Sequence, residues 1–437
     1  MRGASSRSAP WKTVPWKKTL WKRNDSVVDD LLAHLIVLAA AFGAVAGTTP
    51  LVRWAAWRTG AVAKPGERHI HTRSTPTLGG LAMFAGLLTA IIIASFLPAF
   101  SDLFRTTNEP EAIVLASFVV VVVGMIDDTR GLLAPAKLAG QILAAGTLVL
   151  FGLSLRFVYI PGGLGIVYLN PDLAALLTIA AIVAMMNAVN LTDGLDGLAA
   201  GIVAIAAGAL FVYGQFADPM TVTGLPSSSS LVLAALVGSC LGFLIYNFHP
   251  ATIFMGDTGA LLLGLLLAAG GVSTIGNAVG PGRADFAAFS VPALIPALVL
   301  AVPFLDTAWT ILRRLRNGRA IFSPDKRHLH HRLMEIGHSH RRAVLVMYYW
   351  SFLLAFVTVG LGLAPAPLMA IVVAVGLGGA VVIVTPRSPR WFARRTSGTG
   401  KAHGSMSPQP LVHPFTNSCR RPLNNGPEQQ KHAETEV

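Results

Sequence analysis

Apolar runs of about 16 to 25 residues recur from near residue 31 to near residue 385, separated by short polar loops. A helix needs roughly 20 apolar residues to cross the hydrocarbon core, where no water satisfies backbone polar groups. The pattern predicts eleven spans, near 31–52, 78–100, 111–126, 136–155, 173–191, 198–217, 231–247, 259–276, 287–311, 343–362 and 366–385. The run at 111–126 is the shortest, so the residues after it are expected at the membrane surface. Between the fourth and fifth runs, residues 156–169 (RFVYIPGGLGIVYL) alternate β-prone residues around Pro-Gly-Gly and predict a small hairpin. The first run has no small-residue cleavage site and reads as a retained span. Three regions follow: a basic, Trp-containing tail at 1–30, a multi-span body at 31–385, and a polar tail at 386–437 expected to be disordered. The fold class is an all-α polytopic membrane protein with an extracytoplasmic hairpin and cytoplasmic catalytic loops.

Composition agrees. Of 437 residues, 53% are hydrophobic and only 13% charged, whereas charged residues make up about a quarter of a soluble domain. Cys240 and Cys419 are the only cysteines, which excludes a disulfide framework or a thiolate metal site. The net charge of +13 would suit nucleic acid, but its distribution points to a membrane. Taking loops alternately, 53–77, 127–137, 192–196, 247–257 and 312–342 hold sixteen Lys and Arg. The opposite loops hold three Arg and six acids. Positive charge in short loops marks the cytoplasmic side. Residues 1–25 run against this, with seven Lys or Arg on the outer side of an odd number of spans, and Trp11, Trp16 and Trp21 read there as interfacial anchors.

Six carboxylates sit where carboxylates are expensive: Asp127, Asp128, Asp193, Asp196, Asp257 and Asp306. Five are at cytoplasmic span ends, and Asp306 is deeper in the ninth run. Asp127 and Asp128 (GMIDDTRG) are either a solvated helix end partnered by Arg130 or a pair relieved by a bound cation. In NAVNLTDGLDGLAAG, Asn187, Asn190, Asp193 and Asp196 recur every three residues, which on a continuing helix places most of them near one face. Carboxamides and carboxylates so spaced suit a uracil and a ribose, or else form a polar loop that caps the sixth span. Asp257, in FMGDTGALLLG, either caps the eighth span or ligates Mg²⁺, which takes one or two carboxylates and bridges to phosphate. The loop 312–342 holds nine Lys or Arg and five His, including Arg327, His328, His330 and His331. It reads as plain positive-inside charge or as donors for a diphosphate. Lys64, Arg68, His71, Arg73, Thr75 and Lys137 complete the inventory, with Gly79-Gly80 beside them.

The ordered motifs PGERHIHTRSTPTLGG, GMIDDTRG, NAVNLTDGLDG, NFHPATIFMGDTGA and HLHHRL resemble those of the polyprenyl-phosphate N-acetylhexosamine-1-phosphate transferases across 31–385. Leu329 and Arg332 depart from the three-His and acidic pattern of the UDP-MurNAc-pentapeptide branch and resemble the UDP-GlcNAc branch. The resemblance implies transfer of GlcNAc-1-phosphate from UDP-GlcNAc to a polyprenyl phosphate, decaprenyl on the composition, with release of UMP. It implies Mg²⁺ on Asp257, with Mn²⁺ as a substitute, and Asp127 beside Asp128 at the lipid phosphate. Asn190, Asp193, Asp196 and Phe254 would line the uridine site, and His328, His330 and His331 would serve the phosphates. A plasma-membrane location with a cytoplasmic site follows, a homodimer is compatible, and nucleic acid has no role. The alternatives are the muramyl-pentapeptide branch and, in another class, a proton-coupled transporter, whose carboxylates would sit near the midplane.

Overall fold

The computed structural model describes residues 15–63, 74–160, 165–216, 227–277, 291, 293–299, 339–363, 376 and 378. Ten α-helices have both ends within them, and residues 293–299 are helical as well. The ten are α1 (Pro15–Thr59), α2 (Gly79–Phe96), α3 (Ser101–Thr106), α4 (Glu109–Arg130), α5 (Ala134–Leu150), α6 (Pro171–Thr192), α7 (Leu198–Phe216), α8 (Ser228–Asn247), α9 (Gly256–Asn277) and α10 (His340–Leu363). Eight of these are long and apolar enough to cross a membrane, and α5 is a shorter apolar helix. Nine of the eleven predicted runs are therefore helices. Those at 287–311 and 366–385 lie largely outside the described residues, as does the tail at 386–437. Helix α1 begins well before its apolar run and includes residues 15–30 of the N-terminal region.

The third run needs a correction. It was expected to end at 126 with the two acids beyond it, but α4 continues to Arg130 and carries Asp127 and Asp128 in its last turns. The helix survives there because both carboxylates have donors, described below. The hairpin is present: β3 (Phe157–Ile160) pairs antiparallel with β4 (Gly165–Tyr168), Phe157 opposite Tyr168 with ring centroids 6.2 Å apart.

Helix α9 is the centre of the bundle. Its spanning part is wholly buried, among α2, α4, α6, α7 and α8. Around it α1 and α6 are exposed over most of their spans, as lipid-facing helices must be. Helix α1 packs on α8 where Gly238 and Gly242, one turn apart, bring the backbones together. A Cβ at either would lie 2.2 Å from the Leu38 carbonyl or 2.6 Å from that of Phe42. Pro50, inside α1, cannot donate to the Ala46 carbonyl, and the Tyr246 hydroxyl of α8 donates to it instead at 2.9 Å.

At the C-terminal end of α1, the short strand β1 (Val62–Ala63) pairs with β2 (Thr75–Pro76), which leads into α2. Trp54 and Trp57 are exposed there, with Arg58 stacked over Trp54 at 4.7 Å, an arrangement suited to a headgroup layer.

Candidate active site

Two close backbone approaches assemble the site. Gly80 of α2 and Gly124 of α4 both touch the first turn of α9, where added Cβ atoms would lie 2.3 Å from the Gly259 nitrogen and 2.4 Å from the Thr258 Cα. The segment before α9 is also stitched to α2. Phe254 N–H donates to the Pro76 carbonyl (2.9 Å), Gly79 N–H to Phe254 (3.0 Å) and Gly80 N–H to Met255 (3.1 Å). Thr75 is buried in β2 with its backbone paired to Ala63.

Asp128 completes this junction. Its carboxylate accepts the N–H groups of Asp257 (2.8 Å) and Thr258 (3.1 Å) and the Thr258 hydroxyl (2.6 Å). It therefore caps α9 from the end of α4. Gly256, at φ +67°, makes room for it, since a Cβ there would lie 2.3 Å from the carboxylate. Asp128, expected beside Asp127 at the lipid phosphate, also holds the backbone of Asp257 in place.

Asp127, one residue earlier, points elsewhere. Its Oδ1 accepts Leu132 N–H at 2.7 Å, and its Oδ2 lies 2.9 Å from the Lys137 ammonium of α5. Lys137 also bonds Asp257 Oδ2, and Asn190 of α6 donates its amide to Asp257 Oδ1. Lys137 thus bridges the two carboxylates, while Asp128 lies beside them and adds a third. One ammonium against these three carboxylates leaves the cluster short of positive charge, and the side-chain groups it offers a cation are oxygens. That donor set fits a hard divalent cation such as Mg²⁺.

The three-residue spacing from Asn187 to Asp196 does not build one face, because α6 stops at Thr192. Asn187 lies one turn below Asn190 and pairs with buried Gln141 of α5, donating to its Oε1 at 2.7 Å. Asp193 is the C-cap of α6. Burial, followed by the charges of Asp257, Asp128 and Asp196, pushes its carboxyl up to about 7. Asp196 is buried in the turn between α6 and α7, where it accepts from His249 Nδ1 at 2.7 Å. Asn247 pins that turn to the segment before α9, accepting from Gly197 N–H (3.0 Å) and donating to the Ile253 carbonyl (2.9 Å).

Sequence reasoning missed Gln141, Asn247 and His249, and offered Thr258 only as a helix cap. Asn247 and His249 lie inside the motif NFHPATIFMGDTGA, which was their one available signal; Gln141 had none beyond being polar in an apolar run. Lys64, Arg68, His71, Arg73, Asp306, Arg327, His328, His330 and His331 lie outside the described residues.

Residues 111–275, which contain the whole of this cluster, match the family model of Glycosyl transferase family 4. The chain is 47% identical over 331 residues to a decaprenyl-phosphate N-acetylglucosaminephosphotransferase of Mycobacterium tuberculosis, covering 74% of this chain and 80% of that one. The chain belongs to glycosyl transferase family 4. A family member of the same name from Mycolicibacterium smegmatis is also 47% identical, over 70% of this chain and 77% of its own. A phospho-N-acetylmuramoyl-pentapeptide-transferase of Desulforudis audaxviator is 32% identical over 67% of this chain and 86% of its own. The higher identity thus lies on the N-acetylglucosamine side of the family.

Proposed function

We propose that this phosphotransferase moves GlcNAc-1-phosphate from UDP-GlcNAc to a polyprenyl phosphate and releases UMP. The observation that carries the reading is the Lys137 bridge between Asp127 and Asp257 at one end of the helix bundle. The 47%-identical relatives, named as decaprenyl-phosphate enzymes, support a decaprenyl acceptor. A transporter would need its carboxylates near the midplane, whereas the five described ones gather at span ends.

An oxygen of the lipid phosphate attacks the β-phosphorus of the donor. A new P–O bond forms there, the bond from β-phosphorus to the bridging oxygen breaks, and UMP leaves with that oxygen. Both reactants are anions, so catalysis is chiefly positioning and charge neutralisation. Lys137 supplies a fixed positive charge between Asp127 and Asp257. Asp127 orients the acceptor phosphate through Lys137. Its own oxygens are engaged by Leu132 and Lys137, which favours direct displacement over an Asp127-linked intermediate. Asp257, with Asp127 opposite, would hold Mg²⁺, whose charge would neutralise the diphosphate. Asn190, Asp193 and the 193–197 turn receive the nucleoside. By alternation of the spans along the sequence, the Lys/Arg-rich loops join the same helix ends that carry this cluster, which supports a cytoplasmic site in the plasma membrane.

The test is initial rates with UDP-GlcNAc, UDP-glucose and UDP-MurNAc-pentapeptide at one acceptor concentration. Turnover of UDP-GlcNAc alone is expected, since an unpaired acetamido contact costs about 1–3 kcal/mol. Preference for the pentapeptide donor would move the chain to the other branch of the family.

A further inference from the structure

Asp196 is held by a second layer of residues that the reaction itself does not use. Two donors converge on its Oδ2: the Ala251 N–H at 3.1 Å and the Nδ1–H of His249 at 2.7 Å. Together they fix the rotation of the carboxylate, and with it the direction of Oδ1. His249 is fixed in turn by the start of α10. Its ring lies nearly flat on that of His340, with centroids 4.1 Å apart and planes 16° apart. Its carbonyl accepts from Arg341 Nε at 2.8 Å. About two helical turns further along α10, the Tyr348 hydroxyl donates to the carbonyl of Gly197, next to Asp196. One helix therefore braces the 193–197 turn at two points, and His249 links that helix directly to the Asp196 carboxylate.

We propose that His249 is a positioning residue for donor recognition: it holds Asp196 and its turn, from α10, in the conformation that binds the nucleoside of the donor. The inference rests on the reading that this turn receives the uridine. On this reading His249 acts through Asp196, so its loss acts on donor binding more than on turnover.

Two substitutions of similar polarity separate this role from a merely structural one. His249→Asn keeps an N–H donor near the position of Nδ1, whereas His249→Gln carries its amide out to the position of Nε2 and loses that donor. A purely space-filling role would favour the larger Gln. Purified full-length variants are assayed for KM and kcat with UDP-GlcNAc and with polyprenyl phosphate, beside Asp196→Asn. His249→Gln is expected to raise the donor KM roughly tenfold or more, as for a lost hydrogen bond to a carboxylate, and His249→Asn by less than about threefold. Asp196→Asn should raise the donor KM as well. If a variant is too slow to assay, calorimetric binding of UMP to the same preparation gives the ranking. A wild-type donor KM in His249→Gln, equal KM values for the Asn and Gln variants, or a loss confined to kcat or to the acceptor KM would overturn the role of His249. An unchanged donor KM in Asp196→Asn would instead remove the turn from the nucleoside site, and the inference with it.

Discussion

Gly80→Ala is a small change that should disable the enzyme. A Cβ at Gly80 would lie 2.3 Å from the Gly259 nitrogen and 2.4 Å from the Thr258 carbonyl carbon, where ordinary contact begins at 3.4 Å. All of these neighbours are backbone atoms, so no side chain can swing aside. Helix α2 or the first turn of α9 must move by about 1 Å, a displacement that can cost on the order of a hundredfold in rate when it misplaces reacting groups. That turn carries Asp257, and its amides are held by Asp128. Overpacking should also destabilise the protein by about 1–3 kcal/mol. Gly47→Ala on α1 is the control, because nothing lies within 4 Å of a Cβ there. Transfer rates and thermal midpoints in detergent are measured for both. We expect Gly80→Ala to fold with a lowered midpoint and lose roughly two orders of magnitude in rate, with Gly47→Ala close to wild type. A Gly80→Ala enzyme with near-wild-type rate would refute the view that this backbone contact positions Asp257.

Lys137→Ala leaves Asp127 and Asp257 facing each other without their shared ammonium; kcat/KM should fall by about 10²–10³, and a loss of only a few-fold in initial-rate assays would remove Lys137 from the mechanism. Asp193 titrates higher in the folded chain than unfolded, so its contribution to stability is full below the unfolded value of 3.8 and is lost as pH rises through about 7. The thermal midpoint of metal-free protein should therefore fall between about pH 4 and about pH 7, and Asp193→Asn should flatten that fall; an unaltered slope would contradict the assignment. A cysteine replacing Arg130 should be labelled only in permeabilised cells, and one replacing Gly165 in intact cells. The reverse pattern would put the site on the wrong side for UDP-sugars.

The spans were legible because apolar length is a property of consecutive residues, and nine runs became helices. Where the reading slipped, contacts between distant segments decided. Two acids looked like the end of α4, but Lys137, Leu132 and the amides of α9 supply their donors and the helix runs on to Arg130. The Asn-Asp series looked like one helical face, but α6 ends at Thr192 and sends Asn187, Asn190 and Asp196 to three different partners. Asp127, Asp257, Asn190 and Lys137 could be picked out by residue type at span ends. Their division of labour could not, because it depends on how closely α2 and α4 approach α9, which Gly80 and Gly124 permit without any periodic signature.

The central claim is that Asp257, in this cluster, serves metal-assisted transfer of a sugar phosphate to a lipid. It is tested most directly by incubating purified protein with UDP-GlcNAc labelled at the β-phosphate, decaprenyl phosphate and Mg²⁺, following lipid-borne label and UMP together. Wild type should move label into lipid with matching UMP release, and both should vanish in EDTA and in a folded Asp257→Ala variant. Lipid labelling that persists in EDTA or in Asp257→Ala would contradict the account.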